Sequence, residues 1–200
     1  QNTAYNAIIV NGNGAALNFN SGANVTFNAN QHIGSYVAGG KLTVNSGATL
    51  NLNSLTVSGN FTITNAGNFN IDKTTMNSRI TSNGGALVSK NGSTFNNLSA
   101  ANGGAVYVNG GTFTINTSTF SGNKATSGCG GAIYANAGTT SITGATFSSN
   151  SASNAGGAIF TNGSSTLHPV LNITNSTFTK NTALQGGAVF YCGGVNVRHL

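Results

Sequence analysis

The segment Ser-Thr-Phe-Ser-Gly-Asn at residues 118–123, followed by Gly-Gly-Ala-Ile at 130–133, decides the fold because the chain repeats it. The same pair of motifs returns at 145–150 with 156–159, at 176–181 with 186–189, and more loosely at 93–98 with 103–106. A further Gly-Gly-Ala stands alone at residues 84–86. Self-similarity of this kind is typical of a solenoid, in which each repeat forms one coil of the structure.

The length and composition of the repeat favour strands over helices. The repeated phenylalanines are Phe95, Phe120, Phe147 and Phe178, and the last step between them is the longest. Between them, short apolar or β-branched stretches alternate with clusters of Asn, Gly and Ser, which is the pattern of short strands joined by turns. We therefore predict an all-β parallel β-helix with about 26 residues and three short strands per coil, the coils stacked at about 4.8 Å.

Each repeated residue type has a predicted structural role. The phenylalanine is expected to point inward and to stack on the phenylalanine of the next coil. Three positions later, an asparagine is expected at a corner, where Asn tolerates a left-handed backbone and can form a ladder of stacked amides. These asparagines are Asn123, Asn150 and Asn181. A Gly-Gly pair suits a second corner that needs positive φ or close backbone approach. These pairs begin at Gly84, Gly103, Gly130, Gly156 and Gly186.

The part of the chain over 1–82 lacks the complete motif but shares its composition. Short strand-like stretches such as Lys41–Val44 and Phe69–Ile71 alternate there with Asn, Ser and Gly turns. No linker separates this part from the rest. We therefore predict one continuous β-helix over residues 1–200, with irregular early coils over 1–82 and motif-bearing coils over 83–200. The alternative is a pair of abutting domains.

The scarcity of charge is the strongest constraint on function. Charged residues make up 4% of the chain, its net charge is +6, and Asp72 is its only acid. Glycoside hydrolysis of the usual kind needs two carboxyl groups, and a calcium-assisted lyase needs a carboxylate-rich metal site. His32, His168 and His199 are far apart in sequence. We therefore expect a protein that is not an enzyme, with no catalytic residue, cofactor or bound metal.

Composition also narrows the partners and the location. The seven Lys and Arg residues are scattered, whereas phosphate binding needs a dense basic stripe, so no nucleic-acid partner is expected. No apolar run is long enough to span a bilayer, so we expect no membrane insertion by this segment. A nearly uncharged chain rich in Asn, Ser and Thr is typical of an extracellular or cell-surface protein.

Eight Asn-x-Ser/Thr sequons are candidate N-glycosylation sites, although chance placement gives a similar number. They begin at Asn24, Asn60, Asn91, Asn97, Asn116, Asn162, Asn172 and Asn175.

Two further features lie outside the repeat. Cys129 and Cys192 are separated by more than two coils and occupy different phases of the repeat, so two semi-buried free thiols are predicted rather than a disulfide. The step from Phe147 to Phe178 is longer than the other steps, with the excess around residues 163–169. Because loops on a rigid scaffold often carry binding, His168 and Pro169 mark a possible binding loop, with a tolerated insertion as the alternative.

The pairing of Phe-x-x-Asn with Gly-Gly-Ala-(Ile/Leu/Val) resembles the repeats of the chlamydial polymorphic membrane proteins and of similar protist surface proteins. The resemblance covers roughly residues 83–195. It implies a surface-exposed, right-handed β-helix that acts in adhesion, with host or surface glycans or proteins as partners.

We therefore predict a non-enzymatic extracellular surface solenoid with an adhesive or structural role. Residues 195–197 are still strand-like, so the chain is expected to continue beyond Leu200 or to stack end to end on another copy, forming a filament. The alternatives are a carbohydrate-binding or carbohydrate-active β-helix and an ice-binding solenoid. Ice binding is disfavoured because Thr-x-Thr pairs, such as Thr62/Thr64 and Thr177/Thr179, do not recur once per coil in one phase.

Overall fold

The computed structural model describes residues 6–10, 14–29, 31–163 and 168–192, and these residues form 22 strands and no helix. In chain order the strands are β1 Asn6–Ile9, β2 Ala16–Phe19, β3 Asn24–Phe27, β4 Gln31–Val44, β5 Thr49–Asn53, β6 Thr56–Asn65, β7 Asn68–Asp72, β8 Thr75–Met76, β9 Ile80–Ser82, β10 Ala86–Lys90, β11 Thr94–Asn96, β12 Ser99–Ala100, β13 Val106–Asn116, β14 Thr119–Ser121, β15 Lys124–Ala125, β16 Ile133–Thr143, β17 Thr146–Ser148, β18 Ser151–Ala152, β19 Ile159–Asn162, β20 Val170–Thr174, β21 Thr177–Thr179 and β22 Val189–Cys192. The predicted all-β architecture is confirmed.

Nineteen of these strands form one continuous parallel sheet that folds into three faces around a narrow core. Face one contains β2, β9, β19 and β22, face two contains β3, β5, β7, β10 and β20, and face three contains β1, β8, β11, β14, β17 and β21. The four longest strands, β4, β6, β13 and β16, each bend across a corner and contribute to two faces. Each coil crosses the faces in turn, so the molecule is a parallel β-helix.

One column of inward side chains on face three runs through all eight successive coils of the described part. Its members, aligned by strand register, are Ile8, Ile33, Val57, Met76, Phe95, Phe120, Phe147 and Phe178. The early coils thus continue the column of the motif-bearing coils. They use the same three faces, but aliphatic residues replace phenylalanine in the column.

Coil length is less regular than predicted. Val57, Met76 and Phe95 follow one another at short intervals along the chain, whereas the interval from Phe147 to Phe178 is much longer. The strands keep their register while the turns between them change in length. From Phe95 onward each coil carries an extra segment, and three of these segments form a second parallel sheet of β12, β15 and β18. Those coils thus have a fourth short strand that the sequence did not indicate.

The phenylalanine stack forms the centre of the core, as predicted. Ring centroids of Phe95 and Phe120 lie 4.6 Å apart with nearly parallel planes, and those of Phe120, Phe147 and Phe178 follow at 4.9 Å steps. Phe95, Phe120 and Phe147 are fully buried. Rings that stack at the spacing of parallel strands gain dispersion energy in addition to their burial.

The asparagines of the motif form the predicted ladder. Asn150 Nδ2 donates to the carbonyl of Phe120 at 3.0 Å and to Asn181 Oδ1 at 2.9 Å. In the other direction, Asn150 Oδ1 accepts from the backbone N and the Nδ2 of Asn123, at 3.0 and 2.9 Å. Asn123 and Asn150 are fully buried, so each amide satisfies backbone groups that the corner would otherwise leave without partners.

The left-handed backbone at this corner is at the residue before the asparagine, not at the asparagine itself as expected. Gly122 has φ 65°, Ser149 φ 55° and Lys180 φ 54°. The asparagine is thereby freed to turn its side chain inward. The position before it accepts different residue types because its side chain faces outward.

The Gly-Gly corner confirms both reasons predicted for glycine. Gly130 has φ 68°, which favours glycine, and a Cβ at Gly131 would clash with the carbonyl oxygen of Gly157 in the next coil. The pairs that begin at Gly103, Gly130, Gly156 and Gly186 are in phase, because each leads into face one at the aligned residues Val106, Ile133, Ile159 and Val189.

The pair at Gly84 is out of phase with the others, and its assignment to the same unit is wrong. It leads into β10, which pairs with β7 and with Thr112–Ile115 on face two. Gly84 and Gly85 therefore make the corner between faces one and two, next to Gly110 and Gly111 of the following coil. The Gly-Gly-Ala sequence is the same at both kinds of corner because both need a tight backbone turn.

We expect Phe147→Ala to lower the free energy of unfolding by about 3–5 kcal/mol, because it leaves a cavity between two stacked rings. Phe178→Ala is the matched control, since Phe178 is only partly buried at the last described level of the stack. Chemical denaturation of the two variants measures the difference. Equal losses, or no loss at Phe147, would show that the stack does not form the core.

We expect Asn150→Ala to cost at least about 2 kcal/mol, because it removes the partners of Asn123 N and of the Phe120 carbonyl, and each buried unsatisfied group costs about 1–3 kcal/mol. Asn172→Ala, at an exposed asparagine of face two, should stay within about 0.5 kcal/mol of the parent. A similar effect of both substitutions on the unfolding midpoint would rule out the ladder as a stabilising element.

Candidate functional site

The only acid of the chain is held on face two by two contacts. Asp72 Oδ2 lies 3.4 Å from Lys90 Nζ, and Asp72 Oδ1 accepts from Asn91 Nδ2 at 2.9 Å. Among the described residues, no group of three His, Cys, Asp or Glu side chains is close enough to hold a metal ion. No helix of the described part could cross a bilayer.

The predicted binding loop lies at the corner between β19 on face one and β20 on face two. His168 is exposed, but Pro169 is buried, and its carbonyl accepts a hydrogen bond from Tyr191 Oη at 3.3 Å. Residues 164–167 lie outside the described residues, as do 193–200, which include the strand-like stretch at 195–197 and Leu200. Of this loop, therefore, His168 alone presents its side chain in the described structure.

The candidate glycosylation sites lie mainly on the outside of the solenoid. Asn162 is half-buried and donates from Nδ2 to Asn136 Oδ1 at 2.7 Å, while the side chain of Asn60 is outside the described set. The exposed sequon asparagines are Asn24, Asn91, Asn97, Asn116, Asn172 and Asn175.

A column of threonines runs along the outer side of face three. It occupies six consecutive coils, one threonine per coil and all in register. Its members are Thr56, Thr75, Thr94, Thr119, Thr146 and Thr177. The sequence did not predict this column, because its expectation concerned Thr-x-Thr pairs rather than single threonines. Unequal turn lengths hide the period in the sequence, whereas the strand register restores it.

A second outward column runs beside the first, two residues further along each strand. Its aligned members are Asn96, Ser121, Ser148 and Thr179. We call the two columns together the threonine face. Its hydroxyl groups repeat at about 4.8 Å between strands and about 6.6 Å along a strand. None of its side chains is charged.

The threonine face is partly ordered by its own hydrogen bonds. Thr94 Oγ1 donates to Thr75 Oγ1 at 3.2 Å, and Ser148 Oγ donates to Ser121 Oγ at 3.0 Å. β-branched threonine is also stiff at χ1. The threonine face therefore presents an uncharged array of regularly spaced hydroxyl groups, with the amide of Asn96 at one position, and some of these groups are held by hydrogen bonds within the face.

A ladder of aromatic side chains on the outer side of face one was not predicted. Tyr107, Tyr134, Phe160 and Phe190 occupy one register column, with ring centroids 4.9, 5.1 and 5.6 Å apart. Phe160 packs with Cys129 and Ala155 into a small second core outside the β-helix. One sequence signal could have revealed the ladder. Each of the four aromatic residues comes directly after Gly-Gly-Ala and one Val or Ile.

The two cysteines differ in exposure. Both are free thiols, and Cys129 is buried beneath the aromatic ladder while Cys192 is exposed. The prediction of free thiols agrees with this arrangement, but only Cys129 is buried.

Burial raises the pKa of Tyr134 to about 12, and the neighbouring Tyr107, Cys129 and Cys192 add to the rise in pKa because their ionised forms would repel a phenolate.

We expect the free energy of unfolding to fall as pH rises from about 10 to about 12, because in that interval Tyr134 ionises in the unfolded chain but not in the folded one. Below that interval this residue should add no pH dependence. Alkaline denaturation of Tyr134→Phe should show a shallower fall, and the phenolate absorbance of the folded parent should contain a late-titrating tyrosine that the variant lacks. An unchanged alkaline titration would place Tyr134 in solvent.

Comparison with known proteins adds one finding to this geometry. Residues 112–136, 144–162 and 175–193 match the Chlamydia polymorphic membrane protein repeat. No curated protein and no solved structure shows a significant match. Each matched stretch contains both a phenylalanine of the central stack and a Gly-Gly corner, so the resemblance seen in the motifs is confirmed. The chain is therefore similar to the Chlamydia polymorphic membrane protein repeat at three places within residues 112–193, which indicates a surface-associated repeat protein.

Proposed function

We propose that the chain is a non-enzymatic, extracellular surface solenoid that acts in adhesion, with the threonine face as its contact surface. The observation that carries the proposal is the register of that face, which places the same uncharged group at one position in six consecutive coils. Surface association of the repeat family supports the location. A protein or glycan surface is the partner that suits such a face.

A rigid repeated face supports adhesion through the thermodynamics of binding. Because the strands hold the side chains in place, little conformational entropy remains to be lost when a partner binds. Weak contacts that repeat along one rigid axis also add, since each further contact forms at a high effective concentration. Exposed hydroxyl groups can donate and accept, which suits polar partners such as glycans.

We propose in addition that the protein is not an enzyme, and the contacts of Asp72 support this part of the proposal. Its carboxylate is occupied by Lys90 and Asn91, and the chain has no second acid to act with it. A two-carboxylate mechanism of polysaccharide cleavage therefore has no candidate pair.

We also propose that the solenoid can form filaments through strand pairing at its ends, because a parallel coil offers unpaired backbone groups to an added coil.

Ice binding is a second candidate, which the threonine column favours. The six aligned threonines present a hydroxyl and a methyl group at each step of about 4.8 Å, and such a regular array is what an ice-binding solenoid needs. Faces one and two lack such a uniform column among their described residues. Face one carries aromatic rings, and face two carries the Asp72–Lys90 ion pair.

The double variant Thr119→Lys/Thr146→Lys tests the threonine face, with Thr112→Lys/Thr139→Lys on face two as its matched control. Both pairs are aligned neighbours on adjacent coils and gain the same charge. We expect the first variant alone to lose adhesion to glycan- and protein-coated surfaces by at least about tenfold, which is about 1.4 kcal/mol. The same proteins are assayed for inhibition of ice recrystallisation.

The outcomes separate the candidates. Loss of adhesion confined to the face-three variant supports an adhesive face, whereas loss of recrystallisation inhibition confined to it supports the ice-binding alternative. Equal loss in both variants, or no binding by the parent to any surface, would contradict the adhesion proposal. Release of new reducing ends from a polysaccharide by the parent protein would contradict its non-enzymatic part.

A further inference from the structure

Arg79 is a half-buried cation that is held entirely by neutral groups. Its Nε donates to the carbonyl of Gly103 at 2.9 Å, Nη1 donates to Thr81 Oγ1 at 2.9 Å, and Nη2 donates to the carbonyl of Asn102 at 3.1 Å. The guanidinium carbon also lies 5.5 Å from the ring centroid of Tyr107, within cation–π distance. These contacts fix the position of the guanidinium on the outside of the β-helix.

The chain supplies no counter-charge for this group. Asp72, its only acid, forms the ion pair with Lys90. Desolvation by burial lowers the pKa of Arg79, with Tyr107 as a smaller opposing influence. Removing a cation from water costs free energy that an opposite charge can recover. An anion at this position would therefore meet a charge that the fold leaves uncompensated.

Arg79 lines a cavity of about 390 Å³ that opens to the surface. Polar side chains of Asn77, Asn97 and Ser99 line it together with the apolar Phe61 and Leu98. Ser99 begins β12, the first strand of the second sheet, whereas the shorter coil below has no equivalent segment. The cavity therefore forms where a short coil is followed by the first long coil. Strand β12 of the long coil covers one side of it.

We propose that this cavity binds the carboxylate of an acidic monosaccharide unit, with Arg79 as the charged contact. A guanidinium has five N–H groups, of which Arg79 uses three, one on each nitrogen. One N–H therefore remains on each terminal nitrogen, and this pair matches the two oxygens of a carboxylate. No residue of the threonine column lines the cavity, so this site is independent of the proposed adhesive face.

The remaining lining favours a sugar over a bare carboxylate. Amide and hydroxyl groups of Asn77, Asn97 and Ser99 can bond ring hydroxyls, while Phe61 and Leu98 offer an apolar wall to the C–H face of a sugar ring. The volume is at the lower end of the range for small-molecule sites, which suits one sugar unit.

The test is a titration of the full ¹⁵N-labelled chain with glucuronate, glucose and acetate, observed at the Arg79 Nε–H resonance. We expect saturable shifts with glucuronate, binding at least about tenfold weaker with acetate or glucose, and loss of glucuronate binding in Arg79→Gln. Ser99→Trp should also abolish binding by filling the cavity while leaving Arg79 in place. Lys124→Gln removes an exposed cation of the same charge elsewhere and should bind as the parent does.

The following results of the titration would contradict the proposal. No saturable shift in a folded parent rejects the site, and glucose binding as tightly as glucuronate rejects the role of the charge. Acetate binding as tightly as glucuronate replaces the saccharide by a simple anion. If Arg79→Gln unfolds, Ser99→Trp decides alone, because retained binding in that variant places the ligand outside the cavity.

Discussion

The stacking of each strand on its equivalent in the next coil is the constraint on which the rest of this structure depends. Parallel pairing in register carries every side chain onto the side chain at the same position one coil away. A residue type that stacks well on itself is therefore favoured repeatedly. The phenylalanine stack, the buried asparagine ladder and the close approach of Gly131 to Gly157 all follow from this constraint. Turn lengths can vary because only the strands must align.

The same constraint organises the outside of the molecule. The register aligns threonines that are scattered in the sequence into one column on face three, and it places Tyr107, Tyr134 and Phe160 in a ladder on face one. The proposed adhesive role depends on one of these repeated surfaces. Where repetition stops, the surface gains individual features. The cavity at Arg79 lies at such a position, where the second sheet begins.

The sequence predicted the elements in which the same residue type recurs in every coil. It did not predict elements whose equivalent residues are separated by turns of unequal length. Phe120, Phe147, Asn123 and Asn150 were assigned correctly to the core and to a corner, because stacking selects the same side chain in each coil. The threonine column was missed because its members are separated by unequal turns, so a fixed period cannot detect it. Gly84 was assigned to the wrong corner, because two corners have the same backbone requirement. The Arg79 cavity depends on a difference in length between adjacent coils, which becomes visible only when the register is known.

Cysteine cross-linking between coils tests the register most directly, in the part of the chain that lacks the motif. With Cys129 and Cys192 replaced by serine, Thr56→Cys/Thr75→Cys places two thiols on aligned neighbours, whose α-carbons lie about 4.8 Å apart, within disulfide range. Thr56→Cys/Thr94→Cys places them two coils apart, beyond that range. Mild oxidation should cross-link the first pair in the folded protein and leave the second pair free. Equal cross-linking of both pairs, or of neither, would contradict the stacking in register on which this account depends.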